Sequence, residues 1–125
     1  MDSMFERVGG EQGLRAIIDD FVDRMFDDIM IGFFFRNVER RHLKELEFQH
    51  AAEHLGGAIR YRGRPLEVAH GKHRILGGQF ARRKELLRKT LVAHRVPEDI
   101  IDAWLAHTES LRARITADAG GQCID

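Results

Sequence analysis

Histidine and glutamate are the residues in this chain best placed to do chemistry. Seven histidines occur, at positions 42, 50, 54, 70, 73, 94 and 107. A neutral imidazole nitrogen is a ligand for iron and zinc. Three pairs share the Glu-x-x-His spacing: Glu39/His42, Glu47/His50 and Glu67/His70. Residues three apart project to the same side of a helix, the arrangement used by carboxylate-bridged metal sites in helix bundles. The further glutamates that such a site needs show no comparable pattern. A second chemistry is open to the same chain. His70 sits among Leu66, Val68 and Ala69, an apolar stretch that suits a histidine bound to haem iron. Phe33, Phe34, Phe35, Leu43, Leu66, Val68 and Phe80 could then wall a flat macrocycle. Nucleophilic and nucleotide chemistry have little support. No Gly-x-Ser-x-Gly elbow, phosphate loop or Gly-x-Gly-x-x-Gly motif is present. Cys123, in a Gly-rich tail, has no cysteine partner for a disulfide or a zinc site.

The elements that must position these residues are helices. The chain has 125 residues, enough for one domain, with 43% hydrophobic and 32% charged residues. Twenty basic residues balance twenty acidic ones, which argues against nucleic acid as a partner. No apolar run is long enough to cross a bilayer, and Met1–Glu6 lacks the pattern of a signal peptide, so the expected location is cytoplasmic. Glycine pairs at 9–10, 56–57, 77–78 and 120–121 read as helix stops, and no segment alternates with a period of two. The expected elements are a short segment over 3–8 and helices over about 11–29, 39–55, 66–73, 79–93 and 97–115. The fold class is therefore all-α, in one domain over 1–116, with a disordered tail over 117–125.

Two helix faces carry residues that an apolar stripe should not. On the third helix, Leu43 and Leu46 continue into Glu47, His50 and His54, while Phe48, Ala51, Ala52 and Leu55 share the adjacent face. On the next long helix, Arg83 interrupts Phe80, Leu87 and Leu91. An ionisable group on an inward stripe costs several kcal/mol unless it is paired. Each stripe therefore faces solvent or lines a site. The last helix presents Ile101, Trp104, Leu105, Thr108, Leu111 and Ile115 as its core face, and Arg82, Lys84, Arg88 and Lys89 read as a solvated face. Arg60, Arg62 and Arg64 form a basic turn.

The chain resembles the truncated, two-over-two haemoglobins, group I in particular. The resemblance rests on Phe5-Glu6-Arg7-Val8-Gly9-Gly10, Phe21, Phe34-Phe35, Leu43-Lys44 and Leu55-Gly56-Gly57. It continues through Tyr61-x-Gly63-x-Pro65-Leu66, Ala69-His70, Phe80 and Val96-Pro97. It covers about residues 4–115, and the Tyr-x-Gly-x-Pro-x4-His block is its most specific piece. It implies a globin-like helical sandwich around one haem b. His70 corresponds to the proximal iron ligand and Phe35, with Phe34, to the aromatic packed on the porphyrin. Leu43, Leu66 and Phe80 join the haem walls, and Arg64 and His73 lie where propionate partners are found.

The distal side departs from the family pattern. Val22 stands where a tyrosine usually follows the phenylalanine of the second helix, Glu47 replaces a glutamine, and Arg83 replaces an apolar residue. The usual oxygen-holding network is thus absent, and Glu47 and Arg83 are expected to pair, either over the distal side of the haem or as a tie that fixes two helices or points past the haem edge. His50 is a further distal candidate, as a sixth iron ligand or a donor to a ligand. The resemblance implies a diatomic gas or peroxide as ligand, with peroxidase-like or nitric oxide dioxygenase-like turnover open. Oxidation chemistry would need a reductase partner, and the protein would act as a monomer or homodimer. Two rival readings stay open: a non-haem iron protein built on the Glu/His pairs, and a haem-free globin-fold interaction module.

Overall fold

The computed structural model describes residues 2–63 and 76–115, and every regular element within them is helical. They are α1 (Met4–Arg7), α2 (Gly10–Asp27), a 3-10 turn (Gly32–Phe35), α3 (Arg40–His54), α4 (Gly77–Ala93), α5 (Glu98–Ser110) and α6 (Arg112–Ile115). The short helix expected over 66–73 and the tail over 117–125 lie outside the described residues.

Each helix begins for a local reason. Ser3 and Glu6 form a reciprocal capping box on α1, Ser3 Oγ accepting from the Glu6 N–H at 3.1 Å and Glu6 Oε1 from the Ser3 N–H at 3.0 Å. Gly9, at φ 107°, turns the chain from α1 into α2. Glu39 caps α3 by accepting the His42 N–H at 2.6 Å, so that carboxylate serves the helix end and not a metal. Pro97 precedes α5, with Glu98 and Asp99 in its first turn. One expectation is corrected here. The glycine pair at 77–78 forms the first turn of α4, two residues before the expected start at Gln79, where Gln79 Oε1 accepts the Leu76 N–H at 2.9 Å.

The core is built on α2. Leu14, Ile17, Ile18, Phe21, Val22 and Met25 are all buried along it. Both α3 and α4 pack on that helix, and α5 packs on α4. Phe48, Ala51, Ala52 and Leu55 come from α3, and Leu86, Leu87 and Leu91 from α4. From α5 the buried residues are Ile100, Trp104 and Thr108. The expected α5 face was thus one residue out at its start: Ile100 is buried, while Ile101 and Leu105 are half-buried against the core.

The corner between α2 and α3 is held by Asp28, whose side chain is only 4% exposed. Its Oδ2 accepts the backbone N–H groups of Met30 and Ile31 at 3.0 and 3.1 Å, and its Oδ1 accepts from Arg82 Nε and Nη2 at 2.9 and 2.8 Å. Arg82 therefore ties α4 to this corner and is not merely solvated. Lys84 likewise reaches Glu109 of α5 at 2.9 Å.

Gly13 lies where α2 crosses the end of α1, and a Cβ there would fall on the Val8 carbonyl oxygen. Backbone must then shift, so Gly13→Ala should destabilise the fold by about 1–3 kcal/mol. Urea unfolding should show a lower midpoint with an unchanged slope.

Candidate functional site

Opposing stripes of α3 and α4 leave a cleft of about 540 Å³ between them. Ile18, Phe21 and Met25 of α2 form its floor, and Phe34 and Phe35 of the 3-10 turn form one end. Leu43, Leu46, Glu47, His50 and His54 face it from α3, and Phe80, Arg83 and Leu87 from α4. Trp104, His107 and Thr108 of α5 and the segment 61–63 also line it. The Leu43–His54 stripe thus lines a site rather than facing solvent. A further departure from expectation is Phe33, which is exposed, while Phe34 and Phe35 turn inward. Phe35 stacks on Phe26 with ring centroids 5.0 Å apart, and Phe33 stacks on Phe34 at 4.2 Å.

The cleft brings together Glu47, Arg83, Phe34, Phe35, Leu43, Phe80 and His50 from the sequence-derived site. Arg64, Leu66, His70 and His73 lie outside the described residues. Val22 is fully buried in the core beneath the floor and is not among the lining residues.

Glu47 and Arg83 are paired as expected. Arg83 Nη2 donates to both Glu47 carboxylate oxygens, at 2.9 and 3.1 Å. Their side chains are 21% and 28% exposed, so the pair is largely but not wholly withdrawn from water. The Arg83 guanidinium also lies 5.0 Å from the centre of the Phe21 ring, an aromatic face that favours a cation. One ion pair thereby spans the cleft from α3 to α4.

A second polar group joins the stripe residues His50 and His54 to His107, which sequence reasoning had not placed in the site. The rings of His54 and His107 stack with centroids 3.8 Å apart and planes at 9°. His50 lies 5.7 Å from His107 and meets Tyr61 edge-on at 5.5 Å. Burial is the largest cause that lowers all three imidazoles below the ordinary range. For His54 burial is joined by the like-charge fields of His107 and His50, partly offset by the Ala103 backbone, and its pKa falls to about 4. His54 Nε2 is buried with no hydrogen-bond partner. The spacing of Trp104, His107, Thr108 and Leu111 on one helical face was the signal that could have found His107. Among the described residues, no group of three or more His, Cys, Asp or Glu side chains is arranged to hold a metal ion.

The family model described as bacterial-like globin matches residues 3–117. The group 1 truncated hemoglobin GlbN of Synechocystis is 30% identical over 105 residues, covering 81% of this chain and 85% of that protein. GlbN of Mycolicibacterium paratuberculosis is 28% identical over 119 residues, covering 94% and 88%. The crystal structure of the Fe(III) truncated hemoglobin of Tetrahymena pyriformis superposes with a TM-score of 0.84 at 24% identity, over 92% of this chain and 98% of that one. The chain belongs to the bacterial-like globin family, among the group 1 truncated haemoglobins. Membership in that family makes haem, with its iron, the cofactor.

The histidine stack gives the fold a pH dependence with a defined sign. His54 has a folded pKa of about 4, below its ordinary 6.5, so folding excludes a proton that the unfolded chain would bind. The stabilisation is full above pH 6.5 and is lost as the pH falls towards 4. Urea midpoints should decline across that window in the wild type. His54→Phe should keep the stack and flatten the decline, and an unchanged slope in that variant would remove His54 as its cause.

Proposed function

We propose that the cleft seats haem b, and that the protein binds a diatomic gas or a peroxide at the haem iron. The observation that carries this is the make-up of the cleft: apolar and aromatic walls, with one cross-cleft ion pair as a polar feature. Its volume of about 540 Å³ lies within the roughly 300–1,000 Å³ of sites that enclose small molecules and cofactors. Phe34, Phe35, Leu43 and Phe80 fit the faces of a flat apolar ring. His70 is the proposed iron ligand, Leu66 a further wall, and Arg64 and His73 the partners of the propionates.

Bound haem would supply the ligand-binding and redox-active iron. The chain's own part is to exclude water and to place charge. The apolar floor of Ile18, Phe21 and Met25 lowers the local dielectric, which strengthens every charge interaction above it. Arg83, fixed by Glu47 and by the Phe21 face, is a donor aimed at negative charge growing on a bound ligand. Glu47 Oε1 or Oε2 can hold a proton for return to the ligand beside it. With Val22 buried in the core, Glu47 and Arg83 take over the polar role on this side. An acid and a guanidinium suit peroxide turnover or nitric oxide dioxygenation better than simple oxygen storage. Either oxidation would need a reductase to recycle the iron.

Titrating the purified chain with hemin should give a sharp Soret band at one haem per chain, lost or shifted in His70→Ala. The absence of a stoichiometric band in the wild type would refute the haem seat. Glu47→Gln should load haem normally but react with peroxide about 10²-fold more slowly. Unchanged stopped-flow rates would take Glu47 out of the chemistry.

A further inference from the structure

Three imidazoles line the cleft beside the ion pair, and the roles given above to Glu47 and Arg83 leave them unused. His50 and His54 lie one turn apart on α3, and His107 faces them from α5. The rings run in sequence: His50 is 5.7 Å from His107, and His107 is 3.8 Å from His54. His50 is the member within the field of the Glu47–Arg83 pair. The groups that bear on it are Glu47 and Glu53 of its own helix, Arg83 of α4, His107 of α5 and the edge of Tyr61. The two carboxylates favour an imidazolium at His50, and Arg83 and His107 oppose it.

We propose that His50 and His107, with His54 stacked behind the His107 ring, form a proton port for the cleft, so that its preferred ligands are weak acids taken up in neutral form, hydrogen peroxide among them. This deepens the haem reading of the same cleft and rests on it. The ligand's bond to hydrogen breaks at His50. The proton passes to the lone pair of a His50 ring nitrogen, the bonding electrons stay on the ligand, and the anion is left facing Arg83. A neutral acid and a neutral imidazole become an anion and an imidazolium, so atoms and charge balance with no co-reactant. The proton then passes to His107, a single bridging water being enough to span the 5.7 Å between the two rings, and leaves from His107 to water, while the His54 ring stacked face to face on His107 holds it in place.

Two features suit these rings to that task. Burial keeps all three unprotonated at neutral pH, so each is an acceptor at rest and a ready donor once charged. The face-to-face His54 ring fixes the plane of His107 and leaves the nitrogens at that ring's edge free of the stack. His50 touches the ligand in this scheme, whereas His107 and His54 act through it and are positioning residues.

Cyanide, a weak acid, tests the port. Its association with the ferric, haem-loaded protein is followed by stopped flow from about pH 5 to about pH 9, spanning the imidazole range. The variants are His50→Leu, His107→Phe and, as a control, His94→Asn, whose histidine pairs with Asp20 away from the cleft. His50→Leu should slow association at neutral pH by about 10²-fold and flatten its pH profile. His107→Phe should slow it less and shift the profile, and His94→Asn should match the wild type. A wild-type rate and profile in His50→Leu would overturn the port. If that variant loses its helical circular dichroism, His50→Gln replaces it under the same criterion.

A wild type that takes up no haem would count against the haem reading and not against the port. NMR titration of the haem-free chain therefore gives a separate readout. His50 and His54 should titrate below 6.5, and His107→Phe should move both midpoints. Ordinary midpoints, or midpoints indifferent to His107, would overturn the port without reference to haem.

Discussion

The burial of one face of α2 under two helices at once is the constraint on which the rest of the molecule depends. Its six buried apolar residues span a face wide enough for both α3 and α4. Each such side chain contributes roughly 1.5–3 kcal/mol when withdrawn from water. Because α3 and α4 rest on the same helix, their separation is set by the side chains of α2. Their remaining stripes cannot close on each other, and a cleft results. Widening or narrowing it would unpack Phe21, Phe48 or Leu87, all fully buried.

The polar groups of the cleft make sense only within that frame. A charge on the inner stripe of either helix would be costly alone, and Glu47 and Arg83 offset one another across the gap. Each has one helix behind it and the cleft in front, so together they act as a strut between α3 and α4. The imidazoles use a different device. They are neutral, and a stacked neutral ring tolerates a half-buried apolar setting that a cation would not. Charge is thus concentrated at one cross-helix pair, and proton affinity is spread along the neighbouring wall.

Several short sequence features that resemble truncated haemoglobins have local physical causes. Phe5 and Gly57 belong together: the Phe5 N–H donates to the Leu55 carbonyl at 2.9 Å, and a Cβ on Gly57 would come within 3.0 Å of the Phe5 ring. Gly63 follows Tyr61 by two because the Tyr61 hydroxyl occupies the space where a Cβ would sit. In each case the spacing in the chain reflects a close approach in space, which is why such fragments could identify the fold.

The sequence by itself determined the helices, their order and the family. Capping residues, glycine pairs and 3-4 periodicity are local, and they place α2, α3 and α5 to within a few residues. It also exposed Glu47 and Arg83, because a charge on an apolar stripe conflicts with the pattern around it. What periodicity could not supply was the partner of each face. Whether the Leu43–His54 stripe met water or a cleft depended on where α2 put α4 and α5. The start of α4 at Gly77 depended on the Gln79 side chain folding back, and the role of Arg82 on an aspartate fifty-four residues away. The His54–His107 stack joins residues from helices that share no local signal. Such contacts are decided by packing between distant segments, and only the tertiary structure brings those segments together.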